Sequence, residues 1–580
     1  MKFIFGSFIF TSVTCSFMMH ALAGVVKANE NIPDIAIVTK TDRLLSFDYK
    51  KFDFWVEQCR MLDNLQKYTE ALAACETAIA LKPKKKNIEL WTARSNALMN
   101  LGKYAEAIIS YDQVLHKQPN NSSALTQRCQ ALFALEKNEG AISSCEKALK
   151  ADANWGDVTP ANAWYNIGLA LTKLTKYQGA LESFERATLI QSNYSLAFAR
   201  QCEILVTLQL YSRAIKVCDT AIQTNGDWGK QTAAIAWKNK AVALTRLGQI
   251  PEAINSYKQG LEINPKDAIA WYEKGYLQQK LHQYDRALAS YKMAVQVKPK
   301  YSQALARQAQ VLNKLQNYEL ALKKIDEALA GDAMWGDLTL ADIWNQHSVA
   351  LANLKQYQES IADAERVIAL KQDYAPAWNN KAVGLWNLGK YQEAEEASVK
   401  ATNLNSKYSQ AWFNQGRILS SLGKYQEAVD AYEKALKGNL DEDDYSTRSS
   451  IWNNKGIAHW RLGKYVSALN SINKATEINP KSFAAWYNKG LVIIEWQSFK
   501  PNRKKYLYEQ ALDAYNRANL IEPNNSAVLT GKAMTLSGLG RYQEALKYFE
   551  LALNLDPNNN LAQQERDKLL NNFEEKVGDR

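Results

Sequence analysis

Histidine is scarce in this chain, with five residues in 580. His116, His282, His347 and His459 stand alone in separate stretches, and His20 lies near the start. There is no His-Glu-x-x-His pair, no Gly-x-x-x-x-Gly-Lys-Ser/Thr loop and no Gly-x-Ser-x-Gly elbow, which leaves no common hydrolase, nucleotide-binding or zinc chemistry to assign. Ser144 and Ser471 each begin a Ser-x-x-Lys match, but neither has a partner residue nearby. No catalytic residue, metal or cofactor is therefore expected. With 12 Pro and 26 Gly the chain is neither collagen-like nor linker-dominated, and 47% hydrophobic residues exclude a disordered polymer. The net charge of +11 is spread along the chain. No basic run exceeds Lys84 to Lys86, and the densest acidic run is Asp441 to Asp444. Diffuse charge of this kind is not a nucleic-acid footprint.

After residue 26 no stretch is long and apolar enough to span a bilayer. The start of the chain is different. Met1 and Lys2 precede an apolar or small segment from Phe3 to Val13, and Ala21-Leu22-Ala23 supplies the small residues of a cleavage site. Residues 1–23 read as an export signal, with Gly24 the new N-terminus. An uncleaved anchor is the alternative, since Phe3 to Val26 nearly spans a bilayer apart from His20. Either way the body is expected outside the cytoplasm, in a bacterial periplasm or a thylakoid lumen. Removing the signal leaves no transmembrane span.

Cys15 leaves with the signal. The other six cysteines form three pairs separated by 16 residues: Cys59 and Cys75, Cys129 and Cys145, Cys202 and Cys218. The gap is wide for a metal site and no His lies nearby. Two readings remain: three disulfides, which suit an even count in an exported chain, or six small buried hydrophobes.

From Trp55 onward one pattern recurs. An aromatic or Leu anchor is followed four residues later by a small residue and seven later by an aliphatic one. Then come Gly-Lys-Tyr or similar, an Ala, an aromatic and another Ala, often with a Pro beyond. Trp412, Gly416, Leu419, Gly423, Tyr425, Ala428, Tyr432 and Ala435 make a clear copy. Another is Leu529, Ala533, Leu536, Gly540, Tyr542, Ala545, Phe549, Ala552 and Pro557. At about 100° per residue, offsets 4 and 7 fall at about 40° and about −20°, so the anchor, the small residue and the aliphatic form one helix stripe. Gly-Lys-Tyr makes a turn to a second helix.

This resembles the tetratricopeptide repeat (TPR) family, with its 34-residue period, over residues 52–557. Fourteen anchors can be assigned: Trp55, Trp91, Leu125, Trp164, Phe198, Trp237, Trp271, Leu305, Trp344, Trp378, Trp412, Trp452, Trp486 and Leu529. The resemblance implies an all-α, right-handed TPR superhelix, an α-solenoid of about fourteen helix-turn-helix units. Residues 24–51 carry no clear repeat. Residues 558–580 are expected to form a capping helix and tail, with Leu561, Leu569, Leu570 and Phe573 on its apolar side. Inserts fall near 154–158, 226–230, 334–338, 439–445 and 498–506. Three of them carry Trp-Gly, at Trp155, Trp228 and Trp335. Block lengths of 109, 73, 107 and 108 residues between anchors suggest duplication in units of three repeats. Each Trp-Gly insert is either a longer turn packed on the next helix or one of a row of aromatic contact loops.

The position two residues after each anchor lies about 200° round the first helix, opposite the packing stripe. In a TPR superhelix that direction faces the concave groove. Asn166, Asn239, Asn380, Asn414, Asn454 and Asn488 occupy it, with Gln127 and Gln346 in two further copies. A side-chain amide donates and accepts, so a row of them can hold an extended peptide backbone without demanding sequence. The row is similar to the asparagine ladder in the TPR superhelix of O-GlcNAc transferases, here without a transferase domain. Tyr165, Tyr272, Phe413 and Tyr487, one residue after their anchors, and Trp386 and Trp460, eight after theirs, are candidate aromatic contacts for peptide or sugar rings. Lys240, Lys274, Lys381, Lys455 and Lys489 follow at the third position and read as solvated charge. The Lys and Asn set that clamps a terminal carboxylate in some TPR proteins is missing: Val242 and Glu273 stand where Asn is needed. The expected function is an exported, non-enzymatic scaffold for protein or peptide partners. The alternative is a cell-envelope assembly protein, or one that binds or exports polysaccharide.

Overall fold

The computed structural model describes residues 51–81, 87–151, 154–229, 232–440, 444–498 and 504–578. The signal, Cys15 and the unrepeated segment before residue 51 lie outside the described residues, as do 441–443 of the acidic insert and 499–503 of the last one. Among the described residues the structure consists of 29 helices and no strand. Within each of the chain's two compact units, each paired helix packs most extensively on its hairpin partner and then on a neighbouring pair. The architecture is the all-α TPR solenoid.

The chain divides into two compact units at Asn264 and Pro265. The first contains six helix pairs, from Phe52–Asn64 with Tyr68–Leu81 to Ala234–Arg246 with Ile250–Ile263. The second contains eight pairs, from Ala268–Lys280 with Tyr284–Val297 to Ser526–Gly538 with Tyr542–Leu555, and the helix Asn560–Gly578. That last helix buries Ala562 and Leu569 against the fourteenth pair. Leu561 and Leu570 are 51% and 40% exposed. The apolar side is thus narrower than the spacing predicts, because Ala562 and Leu569 are seven residues apart on one helix face. The side chain of Phe573 lies outside the described residues.

The repeat pattern has a physical reason at each position. The small residue four after the anchor sits under the aromatic of the second helix: a Cβ added at Gly416 would meet the Tyr432 ring at 2.4 Å, and one at Gly168 would meet Phe184 at 2.6 Å. The anchor Trp donates its indole N–H to the carbonyl six residues before it, as in Trp271 to Pro265 at 2.9 Å, Trp378 to Gln372 at 3.0 Å and Trp412 to Ser406 at 2.9 Å. This ties down the loop entering the first helix. A serine at the start of several first helices donates to a carbonyl near the end of its own second helix: Ser122 to Ala148, Ser302 to Ala328, Ser449 to Ala475 and Ser526 to Ala552, at 2.7 to 2.9 Å. The serine bonds satisfy carbonyls that helix ends leave unpaired.

The turn between the two helices needs one residue with positive φ. Gly423 supplies it at 76°. Thr175 occupies the same place at 58°, where its amide donates to the Thr172 carbonyl and that of Lys176 to Leu171, as in a Schellman motif. A β-branched side chain is costly there. Thr175→Gly is expected to stabilise the first unit by about 1 kcal/mol, read as a higher urea midpoint at unchanged slope. An unchanged or lower midpoint would contradict this.

Bonds join Cys59 to Cys75, Cys129 to Cys145 and Cys202 to Cys218, with Cα atoms 5.1, 5.5 and 5.4 Å apart. Each ties the two helices of one repeat, and all six cysteines are fully buried. The Trp-Gly inserts fold back on the first helix of their own repeat. Ser123 donates its amide to Asn154, Leu196 to Asp227 and Ser302 to the Asp332 carboxylate, at 3.0 to 3.2 Å. Trp155, Trp228 and Trp335 are partly buried against neighbouring cores. They pack against these cores, and the inserts cap the starts of the first helices. The last insert lengthens both flanking helices, to 16 residues in Phe483–Ser498 and 18 in Lys504–Ile521.

Candidate functional site

The amides two residues after each anchor form a system that the spacing alone does not reveal. In the second unit the side-chain NH2 of Asn380 donates to Asn345 Oδ1 at 2.9 Å, Asn414 to Asn379 at 2.9 Å and Asn488 to Asn453 at 3.0 Å. Each acceptor is the residue one after the anchor of the preceding repeat. Each pair therefore fastens one first helix to the next. Asn345, Asn379, Asn380, Asn414 and Asn453 are all buried. The chain carries this signal as Asn at anchor plus one, facing Asn at anchor plus two, 35 residues on.

Where the first member is missing, the second finds another partner. Phe413 replaces the acceptor before Asn454, and Asn454 turns to the Ser450 carbonyl of its own helix at 2.8 Å. Asn239 reaches the backbone of Ala199 at 3.5 Å. Gln346 accepts from Asn313 at 3.1 Å, and Gln127 accepts from the Tyr111 hydroxyl at 2.6 Å. Asn166 is buried at 7% exposure. Asn380, Asn414 and Asn488 thus hold neighbouring repeats together with one hydrogen-bonding group each. An amide has two N–H donors and two acceptor lone pairs, so these side chains keep capacity for a further bond.

The candidate aromatics divide into two kinds. Tyr272 and Phe413 are only 4% and 8% exposed and belong to core clusters. Tyr165 packs against Phe184 and Tyr194, and Tyr487 against Phe483 and Tyr515. The rings expected to meet a ligand at 272 and 413 instead meet their neighbours, because the position after the anchor is turned into the next repeat. Burial raises the Tyr272 hydroxyl well above the ordinary tyrosine value, with the nearby Arg307 opposing the rise. That hydroxyl also accepts from Gln303 at 2.8 Å, and Arg307 pairs with Asp337 of the insert. Trp386 and Trp460 are half-buried. Their indoles donate to Ser421 at 2.9 Å and Glu495 at 3.0 Å.

The lysines at anchor plus three are less solvated than expected. Lys240 pairs with Asp219 at 2.5 Å, Lys381 with Glu365 at 2.7 Å and Lys455 with Glu433 at 2.7 Å, each carboxylate lying on the preceding second helix. Lys240, Lys274, Lys381, Lys455 and Lys489 lie within 5.8 Å of their anchor Trp rings, at cation–π distance. The bond from Lys455 holds Glu433 below the usual carboxylate range.

Family models for the TPR repeat or tetratricopeptide repeat match residues 88–121, 161–194, 241–282, 268–301, 341–374, 375–408, 408–481 and 526–559. Together these span just over half of the chain. The chain belongs to the tetratricopeptide repeat family.

Anaphase-promoting complex subunit 3 of Schizosaccharomyces pombe is similar in sequence, 32% identical over 97 residues, which are 17% of this chain and 13% of that protein. The chain thus spans about an eighth of that relative's length. Among solved structures, the Cut9–Hcn1 hetero-tetramer of the APC/C is similar over 91% of this chain and 98% of that one, at 17% identity and TM-score 0.39. YrrB, described as a TPR protein with an unusual peptide-binding site, is similar over 35% of this chain and 97% of its own, at 19% identity and TM-score 0.29. These are likenesses of fold alone. Among the described residues no helix is long and apolar enough to cross a membrane, and no group of three His, Cys, Asp or Glu could hold a metal.

Proposed function

We propose that this TPR chain is an exported, non-enzymatic scaffold for protein–protein interaction, and that it holds extended peptide segments along the face formed by its first helices. The TPR repeat stacks helix pairs into a long surface suited to binding another chain. The observation that carries the peptide reading is the row of amides from Asn380 through Asn414 to Asn488. Two consecutive first-helix contacts, Asn345 with Asn380 and Asn379 with Asn414, and a third after one interrupted boundary, Asn453 with Asn488, are made by side chains whose amides have more donor and acceptor groups than these bonds use. Such a row matches a polypeptide backbone, which presents one donor and one acceptor per residue. The alternative is an envelope protein that binds or exports polysaccharide, with the half-buried Trp386 and Trp460 as its ring candidates.

Substituting the amides themselves would confound binding with folding. Asn353 and Asn387 offer a cleaner test. They lie nine residues after Trp344 and Trp378, about 180° round the helix from the anchor and so on the amide face. Both are exposed and bond only to carbonyls of their own helices, Val349 and Val383 at 2.8 Å. Asn353→Trp with Asn387→Trp would fill this face and leave the inter-repeat pairs in place. Immobilised full chain, exposed to an envelope extract, is expected to capture proteins that the double variant loses. Equal capture by both would move the function away from this face.

A further inference from the structure

Arg417 sits on the first helix Ser409–Ser421, three residues after Asn414 and on the side of the amide row. Its guanidinium carbon lies 4.2 Å from the centre of the Trp386 ring and 5.8 Å from that of Phe413. Both rings are held in place: the Trp386 indole donates to Ser421, and Phe413 belongs to a core cluster. Burial pulls Arg417 below its ordinary value, with Tyr432 as a small opposing influence.

Among the described residues Arg417 makes no ion pair with a carboxylate. Comparable arginines on other first helices are matched. Arg94 pairs with Glu76 at 2.6 Å, Arg128 with Asp112 at 2.7 Å, Arg200 with Glu203 at 2.7 Å and Arg307 with Asp337. Arg417 is half-buried, and a cation partly withdrawn from water without a counter-charge is a cost to folding. A guanidinium that meets an aromatic ring through its flat face keeps its N–H donors in the plane, directed away from the ring. A carboxylate fits that edge with two parallel hydrogen bonds, and a neutral amide fits it less well. A planar anion on a bound segment would supply the missing counter-charge.

We propose that Arg417, framed by Trp386 and Phe413, reads a carboxylate on the segment bound along the amide face, either an acidic side chain or a C-terminal carboxylate. This rests on the reading of that face as a peptide site and adds a sequence preference to it. It uses neither of the positions, 242 and 273, at which the familiar terminal-carboxylate clamp fails.

The test uses the immobilised full chain and three pools of eight-residue peptides randomised over uncharged residues. One pool has a fixed central Glu and an amidated end. The second has Gln in place of Glu, also amidated. The third has Gln and a free C-terminal carboxylate. The wild type is expected to retain the Glu pool or the free-acid pool about tenfold or more better than R417Q does, the size expected for a charge-assisted hydrogen bond. Both proteins should retain the amidated Gln pool equally. Whichever acidic pool responds identifies the source of the carboxylate. R417K, which keeps the charge and loses the planar fork, should fall between them. R417Q should unfold at the same temperature as wild type or higher, since it removes an unpaired cation. Equal retention of all pools by wild type and R417Q overturns this proposal alone. No retention of any pool overturns it together with the peptide reading of the face.

Discussion

Replacing the three cysteine pairs with alanine is expected to lower the stability of the unit spanning residues 51–264 by about 3 kcal/mol per pair. Each bond closes a loop of 16 residues in sequence separation between two helices of one repeat. The unfolded chain loses freedom when such a loop is closed, and the native repeat is stabilised relative to it. In a solenoid the effect adds over repeats and their interfaces, so the loss should stay within the unit that holds the bonds. All six cysteines lie in that unit, and the stretch from Pro265 onward has none. Urea unfolding followed by hydrogen exchange should show the amides of residues 51–264 losing protection in the variant. Those beyond residue 265 should keep theirs. Six free thiols in the unreduced, denatured wild type would contradict the pairing, as would an equal loss of protection along the whole chain.

The second large effect concerns the amide row. Asn380→Ala is expected to destabilise the unit from Pro265 onward by about 1–3 kcal/mol, because it strands the buried Oδ1 of Asn345. Asn345→Ala with Asn380→Ala should cost less than the sum of the single changes, with a coupling of about 1 kcal/mol. Asn454→Ala is the control. Its NH2 bonds within its own helix and joins no neighbouring repeat, so its loss should be within about 0.5 kcal/mol. Urea midpoints at constant slope would read all four variants. Additive losses would show that the two amides do not act as a pair.

The repeat, its two helices and its turn are legible in the chain because each rests on local spacing. Gly416 lies under Tyr432 because four residues from the anchor is the stripe where the two helices cross. Equal spacing likewise places Cys129 opposite Cys145. The contacts between repeats are less legible. They depend on how far each pair is rotated against the last, and no period in the sequence encodes that rotation. This is why the position after the anchor reads as a groove position at Tyr272 and Phe413 yet lies in the core. It is also why Asn345, Asn379 and Asn453 go unnoticed as acceptors. The lysines at anchor plus three pair with carboxylates on the preceding second helix, again across a repeat boundary. Arg417 is legible only by comparison: Arg94, Arg128, Arg200 and Arg307, also withdrawn from solvent on first helices, have a carboxylate partner that it lacks.

The central claim is that extended polypeptide lies along the first-helix face of the second unit. A photo-reactive benzoylphenylalanine at Asn387, on that face, tests it directly. A second at Glu396, exposed on the following second helix Tyr391–Leu404, serves as reference. Full chain carrying each probe would be irradiated in an envelope extract and the cross-linked segments sequenced by mass spectrometry. The account predicts adducts from Asn387 to segments that are extended or unstructured in their parent proteins, and few or none from Glu396. Adducts from Glu396 with none from Asn387 would contradict it and place partner binding on the second helices.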